Sequence, residues 1–257
     1  MGRKTEILKI KGDWVEVASD CRSTVGKPPL DHEPSVDFKR KILIAEHSPI
    51  RDISVKWTWH GIKSWVATHW SRHKFEKYIK SQRSDRTGIP RDKLPQDAPV
   101  DFTGEANVQS LIDTMRKRLC RQSSPETRQY AEDFKAALHE IEPEIADVLC
   151  PSCIYRGGCP EMHPCGKDKS YFDVLMEKTG GIVSSTHIDE RYEAYNKLFY
   201  RQRRRENDWN YNALPDLWEV DNEKGKKHKQ TCILYAGMLS RIQRPAEEKA
   251  RKTRCGC

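Results

Sequence analysis

Around residue 70 the chain reads His69-Trp70-Ser71-Arg72-His73-Lys74, and this run holds the residue types that an anion needs. On a helix, positions three and four apart share a face, so His69, Arg72 and His73 would project together. A guanidinium offers a planar fork and an ammonium a point charge, and both suit a phosphate. These groups interrupt a stripe of Trp and Val rather than oppose it, which favours a ligand over a solvated face. His69 and His73 also have a metal-ligand spacing, although the intervening Glu of an H-E-x-x-H pattern is missing.

Two further groups have the same character. Ser81-Gln82-Arg83-Ser84-Asp85-Arg86 sets a hydroxyl, an amide and two guanidiniums close together, a mixture that could hold a phosphate and a base edge. Asn107 and Arg118 stand eleven positions apart, three turns on one side of a helix, so about 16 Å would separate them along the axis. Such a pair could touch opposite ends of a large ligand. No nucleophile–base pair stands out in the sequence.

The fourth group is Cys150, Cys153, Cys159 and Cys165, spaced C-x2-C-x5-C-x5-C, with Gly157, Gly158, Pro160 and Pro164 able to turn the chain back. Four thiolates suit structural zinc or an iron–sulfur cluster, with Cys120 and His163 as substitute ligands. Nine cysteines in a chain of expected cytoplasmic location argue against a disulfide framework. Cys232, Cys255 and Cys257 suggest no chemistry.

The elements that must position these groups follow from periodicity. Thr5 to Ile10 and Ser54 to Trp59 read as strands, the latter with Val55, Trp57 and Trp59 on one face, inside a β-and-loop region spanning residues 1–60. Ile42 to Ala45 is a short apolar run. Ile62 to about Lys80 reads as a helix carrying Ile62, Trp65, Val66, His69, Trp70 and His73 on one face. Gln82 to Gly104 reads as a long loop, and Asn107 to Cys120 as a second helix with Leu111, Met115 and Leu119 along its stripe. Ser124 and Pro125 open a third helix that buries Tyr130, Phe134, Leu138 and Ile141.

Composition sets the limits. The 257 residues are 36% hydrophobic and 33% charged, with a mean hydropathy of −0.85, so one core is expected beside a solvated section. No apolar run approaches the length of a membrane span, and the charged start from Met1 to Ile10 is unlike a secretion signal. A net charge of +8 points to an anionic partner. The excess is spread along the chain, with peaks at Arg201–Arg205 and Lys224–Lys229, so nucleic acid is a secondary candidate.

Taken in order, these pieces resemble the flavin-dependent thymidylate synthases over roughly residues 14–145. Cys21-Arg22-Ser23-Thr24-Val25-Gly26-Lys27 is similar to the family's A-R-x-S-x-G-K segment, and Glu46-His47-Ser48-Pro49 to its H-x-[ST]-P stretch. Arg72-His73-Lys74 followed by Ser81-Gln82-Arg83 resembles the signature R-H-R, seven residues, S-x-R. Asn107-Val108-Gln109-Ser110-Leu111 with Arg118 resembles the N-x-R-S-L helix and its later Arg, and Glu126 with Arg128 its E-I-R. The chain departs at Lys74 for Arg, at a six-residue spacer before Ser81, at Arg51-Asp52 for an E-H pair, and at His69 for Gln.

The resemblance implies an α+β fold, an antiparallel sheet packed with long helices, over residues 1–148. A cysteine-rich knuckle (149–166) and a basic, polar helical extension (167–257) would follow. It implies a homotetramer with FAD where subunits meet, touched by Thr24, Ser48, Arg72, His73, Lys74 and Asn107. Ser81, Gln82 and Arg83 would hold the phosphate of dUMP from a neighbouring subunit, with His69 beside the substrate and Arg118 at the pyrimidine. Ser81 and Arg118 are thereby the catalytic candidates. NADPH would reduce the flavin and methylenetetrahydrofolate would supply the carbon. A relative acting on another pyrimidine nucleotide, by methyl or hydroxymethyl transfer, and a non-catalytic nucleic-acid-binding protein on the same scaffold are the alternatives.

Overall fold

The alternating burial of Val55, Trp57 and Trp59 needs a second strand on each side, and the chain supplies both. In the computed structural model, which describes residues 5–165 and 188–208 (the latter without the side chains of 204–208), β1 (Thr5–Lys11), β2 (Ser54–Lys63), β3 (Glu76–Ile79) and β4 (Pro99–Asn107) form one sheet. Its order is β1-β2-β4-β3 and every pairing is antiparallel. Trp57 pairs with Gly104 across β2 and β4. A Cβ at position 104 would lie 2.3 Å from Cζ2 of Trp57, so the indole can lie flat over β4 because that residue is glycine.

One face of the sheet is an aromatic layer. Trp57, Trp59, Trp70, Phe102 and Phe134 are fully buried, with the Trp59 and Trp70 rings 4.5 Å apart and Trp57 edge-on to Phe134 at 4.9 Å. The indole N–H of Trp59 donates to Thr5 Oγ1 at 2.8 Å, so the most central ring keeps a polar partner. The helix α6 (Pro125–His139) covers this face through Tyr130, Phe134 and Leu138. Its start is as expected: Ser124 Oγ accepts from Thr127 N–H, and Pro125 occupies the first turn.

Several expectations are corrected. Residues 1–60 contain two helices, α1 (Trp14–Ser23) and α2 (Val36–Ile44), capped by Asp13 and Ser35, so the Ile42–Ala45 run is helical. The stretch from 62 to 80 is not one helix. β2 runs to Lys63, α3 is Ser64–Ser71, and β3 follows after a bend. The presumed loop from 82 to 104 holds a helical turn, α4 (Ser84–Thr87), and most of β4, whose burial alternates strictly from Val100 to Ala106. Pairing with β2 and β3 made β4 a strand, a long-range contact that no local pattern announces. Ile141 is exposed rather than buried, since α6 has already ended.

α5 (Val108–Arg118) leaves β4 directly, capped by Asn107, whose side chain accepts from Ser110 N–H at 2.9 Å. Beyond α6, the short helices α7 (Pro143–Asp147) and α8 (Ser152–Arg156) lead to the described stretch α9 (Ile188–Asp208). Cys150 and Ile154 form a second buried cluster with Tyr192, Ala194 and Tyr195 of α9. Lys135 of α6 is fully buried nearby and donates to Ala146 O and Asn196 Oδ1. Burial pulls its ammonium down to about 7. Trp209, Tyr211, the basic run 224–229, and Cys232, Cys255 and Cys257 lie outside the described residues. Among the described residues, no helix is long and apolar enough to cross a membrane.

Candidate anion site at the end of the third helix

α3 stops at Ser71 because the chain must turn into β3, and this turn builds the site. Arg72 is the C-cap, and His73 lies beyond the helix, its N–H donating to Trp70 O at 3.2 Å. His69, Arg72 and His73 therefore do not share a helix face as expected. Arg118, arriving from the far end of α5, instead ties the His73 ring to the backbone of His69. Its Nε donates to His73 Nε2 at 2.6 Å and its Nη2 to His69 O at 2.6 Å. The guanidinium also stands 5.9 Å from the Trp70 ring.

The neighbours fix the rings. His69 Nδ1 is hydrogen-bonded to Thr127 Oγ1 at 2.8 Å, and that hydroxyl receives a second bond from Ser124 Oγ at 2.8 Å. Lys77 holds the bend itself, donating to His73 O at 2.7 Å and Phe75 O at 2.9 Å. The rings of His73 and Phe75 are parallel within 7°. Lys77, Thr127 and Trp70 carry no motif; they become visible once α3, α5 and α6 are placed.

Electrostatics follow from this packing. Burial, then the charges of Arg118 and Lys77, bring His73 down to about 4. At neutral pH the imidazole is uncharged, and since Nε2 accepts from Arg118, the ring proton sits on Nδ1. His69 is lowered too, by burial and then by Arg118 and Arg72. Arg118 is itself lowered, first by burial and then by Arg72. Among the described residues neither Arg72 nor Arg118 forms an ion pair with a carboxylate, although Arg118 is half-buried. Arg72 is exposed to water, so the charge that an incoming anion would most help is the half-buried Arg118. The arrangement fits a phosphate or an anionic base edge.

The other expected residues are spread more widely. Ser81 and Gln82 are half-buried beyond the far end of β3, a strand spanning roughly 13 Å, and no hydrogen bond among the described residues joins them to Arg118. Arg83 is already held by Asp85, Nε to Oδ1 at 3.0 Å and Nη2 to Oδ2 at 2.8 Å. Lys74 and Ser48 are exposed, the latter opening a short 3-10 helix (Ser48–Asp52). Thr24 caps the end of α1, its hydroxyl donating to Cys21 O at 2.7 Å. Asn107 stands at the opposite end of α5 from Arg118, and its amide oxygen is committed to capping that helix.

The cysteines among the described residues are free thiols. Cys150 is fully buried in the second cluster, hydrogen-bonded to Tyr192, and burial pushes its thiol up to about 12. Burial, and then charge on Cys120, Cys150 and Cys159, likewise hold Cys153 at about 12. Cys120, just past the end of α5, feels Glu161, Cys165 and Cys159. Among the described residues no three His, Cys, Asp or Glu side chains already stand grouped as a formed metal site.

No family model matches the sequence, and no curated protein matches it. Among solved structures, the chain is similar to the UMP/dUMP methylase PolB from Streptomyces cacaoi, determined with 5-Br dUMP bound. The TM-score is 0.46 and the identity 15%, covering 56% of this chain and 93% of that one.

Proposed function

We propose that this chain is a nucleotide enzyme of the flavin-dependent thymidylate synthase type, transferring a one-carbon unit from methylenetetrahydrofolate to dUMP. The observation that carries the reading is the convergence of Arg118 on His73 and His69, residues 45 and 49 positions away, beside an unpaired Arg72. In the sequence resemblance these same positions address the flavin and the pyrimidine nucleotide. A cluster of cationic and hydrogen-bond-donating groups, with Arg118 half-buried, is what a nucleotide anion requires.

The residues present fit the nucleotide better than they fit the whole cofactor. Arg118 is aimed by two short hydrogen bonds, and its Nη1 has no partner among the described residues, so it can reach a pyrimidine carbonyl or a phosphate oxygen. Neutral His73 offers its Nδ1–H as a donor from the same turn. Arg72 and Lys74, both exposed, would meet the FAD phosphates. Thr24 and Ser48 would line the flavin, whereas Asn107 would have to serve while capping α5. FAD, reduced by NADPH, would supply hydride to the one-carbon unit. Ser81, Gln82 and Arg83 would complete the phosphate site from another copy of the chain in a homotetramer.

The test is a visible spectrum and a binding measurement on the purified full chain. Flavin absorption, present as isolated or after adding FAD, is expected, together with dUMP binding measured by calorimetry. Arg118→Ala should weaken dUMP by about ten- to hundredfold, the range for a hydrogen bond to a charged group. A protein that stays colourless with FAD added, and binds dUMP equally well without Arg118, would overturn the reading. Mass spectrometry of the product separates methyl from hydroxymethyl transfer and dUMP from another pyrimidine acceptor.

A further inference from the structure

Two imidazoles stand at the candidate site, and the bonds around them leave their protons on different nitrogens. His73 takes the Nε–H of Arg118 on its Nε2, so its own proton is on Nδ1. His69 is held by the other nitrogen. Its Nδ1 lies 2.8 Å from Thr127 Oγ1, and Ser124 Oγ lies 2.8 Å from that same hydroxyl. The direction of these two bonds decides what His69 shows to a ligand.

Ser124 Oγ accepts the N–H of Thr127 as the cap of α6, and its own proton is donated to Thr127 Oγ1. Thr127 is fully buried, so its hydroxyl proton is out of reach of solvent and must find an acceptor in the protein. Ser124 is already the donor in their bond, which leaves His69 Nδ1. The opposite order, with His69 donating, would strand the Thr127 proton in a dry place. His69 is kept uncharged by burial and then by the charges of Arg118 and Arg72, against the opposing pull of Glu126. A neutral ring whose Nδ1 accepts carries its proton on Nε2. The two nitrogens of an imidazole point away from each other, so Nε2–H is turned away from Thr127. Among the described residues it has no hydrogen-bond partner.

We propose that Ser124 and Thr127 lock His69 as its Nε2–H tautomer, so that His69, His73 and Arg118 offer a bound base hydrogen-bond donors only. Such a site takes a pyrimidine with a carbonyl at its 4-position, as in uracil. It turns away cytosine, whose amino group at that position is itself a donor. The choice of a pyrimidine rests on the proposed function, whereas the tautomer rests on bonds within this chain. Ser124 and Thr127 are positioning residues, acting on the ligand through His69.

The tautomer is read by two-bond proton–nitrogen correlation spectra of the full chain, labelled with nitrogen-15 at histidine, at pH 7. His69 should be protonated on Nε2 and His73 on Nδ1, each signal identified by its loss in His69→Gln or His73→Gln. Thr127→Val removes the hydroxyl and keeps the shape, so His69 should then populate both tautomers; Thr127→Ser should restore the single one. Calorimetry compares the nucleotides. dUMP should bind about tenfold or more tighter than dCMP, and His69→Gln, whose amide offers both a donor and an acceptor, should narrow that ratio. His69 protonated on Nδ1, or a Thr127→Val spectrum like that of the wild type, would overturn the lock. With the Nε2–H tautomer seen, dCMP bound as tightly as dUMP, or a ratio unmoved in His69→Gln, would defeat the donor-only edge. Binding of neither nucleotide would sink the proposed function and the ligand named with it, and the spectrum decides the tautomer by itself.

Discussion

His73 stays neutral because its ring is half out of water and faces two cations. Its free form is therefore an acceptor for Arg118 rather than a third positive charge. The consequence for stability has a definite sign. In the unfolded chain the imidazole titrates near its ordinary value, whereas in the fold it titrates at about 4. Between these values the unfolded state binds the proton that the folded state refuses. The contribution of this group is thus complete above the ordinary histidine range and is lost as pH falls toward 4. His73→Gln keeps an acceptor for Arg118 but cannot titrate. Urea unfolding at pH 7 and at pH 4.5 should show the wild type losing more stability on acidification than His73→Gln. Equal losses would show that His73 is not the group responsible, since His69, lowered in the same direction, is common to both proteins.

At the scale of elements, what was legible in the sequence was what local chemistry decides. Ser124 and Pro125 opened α6 where caps and φ preferences said, and the alternation of Val55, Trp57 and Trp59 gave β2 its buried face. β3 was not legible, because it is a four-residue edge strand with largely exposed side chains and is held by pairing with β4. Missing it merged α3 with β3 and turned β4 into a loop, so the turn that bears His73 was drawn as helix. The site residues Arg72, His73 and Arg118 were legible as types; the meeting of Arg118 with His73 was not, since it depends on the end of α5 bringing Arg118 to the end of α3. Asn107 illustrates the ambiguity of a single residue. Its position at the start of α5 fits a ligand contact, but its side chain is the helix cap. Asn107→Ala should cost about 1 kcal/mol in unfolding free energy, and Asn107→Asp, which caps equally well, should cost little. If Asn107→Ala unfolds at the same denaturant concentration as the wild type, the cap is not what the residue contributes.

At the scale of the whole molecule, the residues proposed for one nucleotide site fall into two sets at opposite ends of β3. Arg118, His73 and Arg72 lie before it, and Ser81, Gln82 and Arg83 lie after it. On the proposed function, the second set would join the first from another copy of the chain. β3 is the edge of the sheet, with Tyr78 and Ile79 exposed on it, and it carries both halves outward. On that reading, Arg118→Ala and Arg83→Ala should each weaken dUMP binding about ten- to hundredfold on their own. Refolded together from an equal mixture, they should recover about a quarter of the wild-type sites if random association restores intact pairs across a symmetric interface. Binding titrations on the mixed oligomer, with its mass determined by light scattering, count those sites. A mixture that recovers none, from chains that do associate, would mean that Arg83 stays with its Asp85 partner and that the nucleotide is held by the Arg118 half alone.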